Sequence, residues 1–146
     1  MADKKDPVTR FLDGYSCSQA VLTGYCRRYN VDETTGVKIA AGFGAGMQRA
    51  KTCGAVTGAI MVLGLHFGDA GSVKSAGRRE VYRAVQEFTD EFEQIHGTLN
   101  CRQLLGCDVN TQEGKQVAAQ NNLFTTVCPD FVRDAAAIVD RIIEPG

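Results

Sequence analysis

The chain has 146 residues, of which 44% are hydrophobic and 23% are charged, with a formal net charge of −1 at pH 7. This size and composition are typical of a single soluble globular domain, residues 1–146, that buries a core without needing disulfide bonds. The near-neutral charge excludes the electrostatic signature of nucleic-acid binding, and no apolar run is long enough for membrane insertion. No apolar stretch follows the lysines of MADKKDPVTR, so we expect no secretory signal, a cytoplasmic location and reduced cysteines.

Helices are predicted along the first part of the chain. Pro7–Leu12 has the pattern of a short first helical turn, which Gly14 ends. Ser16 and Gln19 match the capping box that opens a helix, and apolar residues recur at helical spacing from there to about Tyr29. A third helix is predicted to begin at Asp32. It leads into a glycine-rich turn.

The stretch Ala41–Leu65 contains this turn and the predicted central helix. We expect Thr52 to be the N-cap of that helix and Cys53 to lie in its first turn. Free backbone N–H groups and the helix dipole favour a thiolate there. Gly54 and Gly58 are four residues apart, so they share one helix face and allow another backbone to approach closely. The central helix is therefore predicted to be buried on most sides.

The longest predicted helix follows a loop that begins at Gly68, and it extends from Ser72 to about His96. Its apolar positions alternate steps of four and three residues and form a seam: Val81, Val85, Phe88, Phe92 and Ile95. This spacing predicts an amphipathic helix packed on the core.

The last part of the chain predicts further helices. Asn100 and Gln103 repeat the capping pattern before a short helix that ends at Gly106, and residues 108–122 are a polar helix or loop. Pro129 suits the first helical position, which places Cys128 at the N-cap of the final helix. No segment alternates as a strand does. We therefore predict an all-α bundle of six or seven helices around the small-residue-rich central helix.

Four of the six cysteines fall at the predicted beginnings of separate helices: Cys17, Cys53, Cys101 and Cys128. The thiolate is both the nucleophile and the metal ligand, so four converging helix starts would form a catalytic or metal-binding site. The alternative is that each cysteine is a small buried residue used for packing. Local spacing does not decide between them, because the sequence contains no C-x-x-C pair or ferredoxin-type run.

The remaining cysteines and the histidines have simpler interpretations. Cys26 lies on an apolar helix face and is predicted to be a core residue. Cys107 is either a resolving thiol or a loop cysteine without a role. His66 and His96 lie near predicted helix C-termini, where the dipole favours a cation, so capping or surface roles are expected for them.

The glycine-rich turn offers a second candidate site. Its candidate residues are Gly44, Gly46, Arg49 and Lys51. Such a turn with nearby cations before a helix is similar to a phosphate-binding loop. It lacks the preceding strand of a dinucleotide fingerprint and the lysine spacing of a P-loop. The alternative interpretation is close backbone packing beside the cysteines.

These motifs together resemble a known family. GYSCSQAV around Cys17, TCGAVTG at Thr52–Gly58, NCRQLLG around Cys101, and Cys128 resemble the redox-active protein family C_GCAxxG_C_C, and the resemblance extends over about Phe11–Ile143. It implies a helical redox protein whose four signature cysteines are those at the helix starts, with an iron–sulfur cluster suspected. The central motif departs from the label, because it reads Cys-Gly-Ala where the label spells Gly-Cys-Ala.

The leading hypothesis is a small cytoplasmic redox protein that uses the four helix-start cysteines. In one form they hold an iron–sulfur cluster or another thiophilic metal and pass electrons to a partner oxidoreductase. In the other form they cycle between dithiol and disulfide, with Cys53 as the attacking thiolate.

Two hypotheses come from other classes. The first is a non-catalytic module that binds a small anion or nucleotide at Gly44, Gly46, Arg49 and Lys51. The second is a helical interaction subunit whose Val81–Ile95 seam pairs with itself, as a homo-oligomer, or with a partner.

Overall fold

The computed structural model of the protein describes residues 6–69 and 76–144. These residues form an all-α fold, as predicted. The helices are α1 Pro7–Leu12, α2 Cys17–Cys26, α3 Glu33–Ala40, α4 Gly54–Phe67, α5 Ala76–His96, α6 Cys101–Leu105, α7 Gln112–Gln120, α8 Leu123–Thr126 and α9 Cys128–Ile143. The described part contains no strand, and its one isolated bridge pairs Thr52 with Asn100 in antiparallel orientation.

The core forms where α4 packs against α2, α5 and α9. Its largest fully buried apolar side chains come from these four helices: Val21, Val56, Val62, Leu63, Phe88, Phe92, Val132, Ile138 and Val139. The central position of α4 agrees with its composition, because small residues let neighbouring helices approach. A Cβ atom on Gly58 would lie only 2.8 Å from the backbone oxygen of Ser18 in α2.

The second helix is shorter than predicted. α2 ends at Cys26 rather than near Tyr29, because Asn30 adopts a left-handed conformation (φ 59°) and the Val31 N–H bonds to the Cys26 carbonyl oxygen at 2.9 Å. The predicted start of the long helix at Ser72 lies outside the described residues.

The apolar seam of α5 is shifted by one position at its C-terminal end. Ala84, Phe88 and Phe92 are buried, whereas Ile95 is 51% exposed. His96, which lies four residues after Phe92, is mostly buried instead, and its side chain is 13% exposed. Phe88 and Phe92 pack inside the chain, so they are not available to another molecule. Pairing with a partner through the remaining exposed residues stays a prediction.

Candidate functional site: a cavity lined by four thiols

Each of the four cysteines lies at a helix start. Cys17, Cys101 and Cys128 are the first residues of α2, α6 and α9, and Cys53 is the N-cap of α4. Two predicted positions are therefore wrong by one residue. Thr52 is not the N-cap of α4, because its backbone is extended in the bridge to Asn100. Cys128 is not an N-cap, because helical geometry already begins at this residue.

The bridge between Thr52 and Asn100 positions two of the cysteines. The Cys53 N–H donates to the Leu99 carbonyl oxygen at 2.8 Å, and the Cys101 N–H donates to the Lys51 carbonyl oxygen. These hydrogen bonds join the approach to α4 directly to the approach to α6. Cys53 and Cys101 therefore start their helices from two adjacent, mutually bonded backbone segments.

A close helix contact brings Cys17 to the same place. A Cβ atom on Gly54 would lie 3.0 Å from both the Cβ of Cys17 and the backbone nitrogen of Ser18. The first turn of α4 can press onto the first turn of α2 only because residue 54 has no side chain. The shared small-residue face predicted for Gly54 and Gly58 is confirmed at both positions.

All four cysteines line one cavity of about 530 Å³, which we call the thiol cavity. The cavity is in the size range typical of small-molecule sites. Most of its wall is apolar and comes from Phe11, Leu104, Leu105, Val109, Phe124 and Phe131. Lys115 is the cation on the wall, and none of the described lining residues is a carboxylate. The structure thus brings the four cysteines together, while their catalytic or ligand roles stay predictions.

The thiols of Cys17 and Cys128 interact with each other directly. The side-chain hydrogen bond between them raises the pKa of Cys17, which burial also raises, and lowers the pKa of Cys128. In this hydrogen bond the Cys17 thiol donates and the Cys128 sulfur accepts, so Cys128 is the member of the pair that ionises first. A thiolate at Cys128 is the reactive form for nucleophilic attack or metal ligation.

The other two helix-start cysteines remain protonated near neutral pH. Burial raises the pKa of Cys53 to about 11, although the backbone N–H groups of Ala55 and Val56 act in the opposite direction. Burial also raises the pKa of Cys101 to about 12. The expectation that the start of α4 stabilises a Cys53 thiolate is therefore wrong, because the loss of solvent outweighs the helix N–H groups.

The thiol cavity does not fit a single metal ion. Within residues 6–69 and 76–144, no three His, Cys, Asp or Glu side chains are grouped in a way that could hold one ion. The described cysteines are all free thiols. We therefore derive no step through a mononuclear metal centre.

The other two cysteines and the two histidines do not line this cavity. Cys26 is buried in the core, as predicted, with its Sγ against Gly36. Cys107 is half-buried beside a small apolar cluster and is not among the residues that line the thiol cavity. The side chains of both histidines have specific neighbours: His66 Nδ1 lies 2.9 Å from the Tyr29 hydroxyl, and His96 Nε2 lies 2.9 Å from Oδ2 of Asp134.

The four residues predicted to bind an anion do not line a single cavity in the structure. Gly44 lines the thiol cavity and packs against Ser16, as the close-packing interpretation expects. Gly46 has φ +63°, and a Cβ atom there would overlap the backbone of Lys51. Arg49 and Lys51 instead line a second cavity of about 450 Å³.

Sequence reasoning missed two cations of these cavities, Lys115 and Arg102. Arg102 could have been noticed, since it directly follows Cys101 in NCRQLLG and would lie near any ligand of that motif. No local signal marks Lys115, because it lies on the polar helix α7 and reaches the thiol cavity only through the tertiary fold.

A comparison with models of protein families shows which family the chain belongs to. The model of the family described as "Putative redox-active protein (C_GCAxxG_C_C)" matches residues 15–142. The chain belongs to this family. No curated protein and no solved structure matches the chain. The match to the C_GCAxxG_C_C family includes all four helix-start cysteines and every residue that lines the two cavities except Phe11. In the described parts of this family member, no helix has the length and apolar character needed to cross a membrane.

Proposed function

We propose that this protein is a cytoplasmic thiol–disulfide redox protein in which Cys128 and Cys17 form the reacting pair. The observation that carries the proposal is the hydrogen bond between these two side chains at the wall of an apolar cavity. A thiol bonded to a thiolate has both partners needed for disulfide exchange, namely an attacking sulfur and a resolving sulfur.

The exchange takes place in two steps with a disulfide substrate R–S–S–R′. The Cys128 thiolate attacks the R sulfur, the S–S bond breaks, and R′–S⁻ leaves and takes up a proton. Cys17 then loses its proton and attacks the sulfur of Cys128, which expels R–S⁻ and closes a Cys17–Cys128 disulfide. Two electrons have passed from the protein to the substrate. A dithiol oxidoreductase partner returns two electrons to regenerate the thiols.

The residues that line the thiol cavity indicate what kind of disulfide substrate it would accept. Apolar side chains surround the thiols and Lys115 is the cation at the wall, which favours a disulfide with an apolar body and a negative group. Cys53 and Cys101 face the same cavity as uncharged thiols. They provide a second store of reducing equivalents that exchanges with the Cys17–Cys128 disulfide.

Redox titration followed by mass spectrometry tests the proposal. The reduced protein is equilibrated with graded ratios of reduced and oxidised glutathione, quenched by alkylation and digested. We expect a peptide linked through Cys17 and Cys128 to appear first. Cys107→Ser serves as the matched control, because Cys107 does not line the cavity, and it should leave this linkage unchanged. Alkylation of both Cys17 and Cys128 under conditions that oxidise another pair would contradict the proposal.

An iron–sulfur cluster is the second candidate function. It is favoured by the convergence of four thiols from four helices on one cavity whose described lining residues include no carboxylate. Cys17, Cys53, Cys101 and Cys128 would hold the cluster, which would supply one-electron transfer. Anaerobic purification with visible absorption and iron and sulfide analysis separates the candidates. A colourless, metal-free protein that titrates as dithiols supports exchange, whereas a coloured protein with stoichiometric iron and sulfide supports the cluster.

A further inference from the structure

The second cavity, which we call the basic pocket, concentrates positive charge on a chain whose net charge is −1. Its walls come from two segments: Arg49, Ala50 and Lys51 on one side, and Asn100, Arg102, Gln103, Gly106 and Asp108 on the other. Three of these eight residues are cations and one is an anion. The Asp108 carboxylate already accepts a hydrogen bond from the Asn110 N–H at 2.9 Å.

The three cations lack protein partners. Among the ion pairs of the described residues, Arg10, Arg28, Arg83, Arg133 and Arg141 each contact a carboxylate. In the same parts of the chain, the side chains of Arg49, Lys51 and Arg102 form no ion pair or hydrogen bond. Three unpaired cations around one cavity repel each other unless an anion lies between them.

Backbone hydrogen bonds fix the two segments that carry these cations relative to each other. The Lys51 N–H bonds to the Gly46 carbonyl oxygen at 3.0 Å, and the Lys51 carbonyl oxygen accepts from the Cys101 N–H. The bridge between Thr52 and Asn100 fixes the two walls relative to each other. Ala50 anchors its segment, since it is 3% exposed. Because the backbone is already ordered, only the side chains have to be ordered on binding, which lowers the entropy cost.

We propose that the basic pocket binds a small molecule through a group of two or more linked phosphates. Two guanidinium groups and one ammonium group match an anion with several charges, and the planar guanidinium fork matches phosphate oxygens in particular. The basic pocket shares no lining residue with the thiol cavity: Cys101 lines the thiol cavity, whereas its neighbours Asn100 and Arg102 line the basic pocket. Binding there requires no thiol chemistry.

Isothermal titration of the reduced full-length protein with inorganic pyrophosphate at low ionic strength tests this site. We expect Arg49→Gln, Lys51→Gln and Arg102→Gln each to weaken binding about tenfold, and added salt to weaken it further. Lys38→Gln is the matched control, because it removes the same charge elsewhere on the surface and should leave the affinity unchanged. Undetectable pyrophosphate binding, or equal loss in the control variant, would overturn the proposal.

Three further measurements exclude trivial explanations. Asp108→Asn keeps an acceptor for the Asn110 N–H but removes the negative charge from the pocket, so it should strengthen binding several-fold, a gain that misfolding cannot produce. Citrate carries similar charge without phosphate geometry and should bind at least tenfold more weakly. Equal binding of citrate and pyrophosphate would reject the phosphate assignment. Thiol titrations of the Arg49→Gln, Lys51→Gln and Arg102→Gln variants should match wild type, which keeps this test separate from the redox proposal.

Discussion

The side chains of Cys17 and Cys128 are hydrogen-bonded to each other although they are separated by most of the chain and begin different helices. Because one thiol donates and the other sulfur accepts, the contact separates their titrations. The pKa of Cys128 is lowered and that of Cys17 is raised. This asymmetry assigns the attacking role to α9 and the resolving role to α2 in the exchange proposed above.

Alkylation rates should reveal this asymmetry. At neutral pH we expect iodoacetamide to modify Cys128 ahead of Cys17, Cys53 and Cys101, because alkylation requires the thiolate. Below the pKa of Cys128 its rate should fall about tenfold per pH unit. Cys17→Ala should raise the pKa of Cys128 and slow its alkylation at pH 7. Pulsed alkylation with peptide mass spectrometry measures each rate.

Two comparisons make the alkylation result specific. Cys107→Ser should leave the pH profile of Cys128 unchanged, because Cys107 is not a hydrogen-bonding partner of that thiol. Cys53 should become reactive only as the pH approaches its pKa of about 11. A Cys128 profile that is the same with and without Cys17 would contradict the proposed contact.

The stability of the reduced protein should decrease at alkaline pH. The folded-state pKa of Cys53 is about 11, whereas an unfolded cysteine titrates near 8.5. Between these values the unfolded chain binds fewer protons, so raising the pH favours unfolding by about 1.4 kcal/mol per pH unit for one such thiol. Urea unfolding from pH 8.5 to 10 under reductant measures the slope. Cys53→Ser should make this slope of unfolding free energy against pH less steep, whereas Cys107→Ser should change it less. An unchanged slope in Cys53→Ser would show that Cys53 is accessible to solvent.

Much of the local structure could be predicted because it depends on near neighbours in the sequence. The capping box is present as expected, with the Gln19 N–H donating to Ser16 Oγ at 3.3 Å and the Ser16 N–H donating to Gln19 Oε1 at 3.0 Å. The Asn100 side chain likewise accepts from the Gln103 N–H at 3.1 Å. Cap residues act within one turn, so a single sequence is enough to find them.

Features that depend on contacts between distant parts of the chain could not be predicted from the sequence. The start of α4 moved by one residue because Thr52 pairs with Asn100, which is 48 positions away in the sequence. The relative pKa values of the cysteines also depend on contacts that are distant in the sequence. The helix start at Cys53 is local, but the burial that raises its pKa comes from the tertiary fold, as does the hydrogen bond that lowers the pKa of Cys128.

The backbone conformation of the turn before α4 could not be predicted from the sequence either. Ala45, Met47, Gln48 and Ala50 all have positive φ, between 50° and 61°. Residues with side chains adopt this left-handed conformation at a cost of about 1 kcal/mol or more each, so the sequence predicts it only at glycine. The surrounding contacts must supply the compensating energy, and one of them is the hydrogen bond from the Gln48 side chain to the Gly44 carbonyl oxygen at 2.9 Å.

Two glycines of α4 should respond in opposite ways to alanine. Gly58→Ala should destabilise the fold by about 1–3 kcal/mol, because the new Cβ would lie 2.8 Å from the Ser18 carbonyl oxygen and 3.1 Å from the Val21 Cβ. Gly64→Ala meets no atom within 4 Å and should stabilise the helix by up to about 1 kcal/mol. Urea unfolding of both variants measures the difference. Equal effects would show that α2 and α4 are not in close backbone contact.

Lys115 should select the charge of disulfide substrates that enter the thiol cavity. It lines the wall together with Ala119, one turn further along α7, and none of the described lining residues is a carboxylate. Lys115→Gln should therefore slow the reaction with the anionic aromatic disulfide dithiobis(nitrobenzoate) about three- to tenfold, an effect that salt reduces. The neutral aromatic disulfide dithiodipyridine should react equally with both proteins. Stopped-flow absorbance follows both reagents, and Lys38→Gln controls for net charge. Equal slowing of both reagents by Lys115→Gln would indicate altered access to the thiols, whereas no slowing of either would show that the ammonium group does not face the substrate.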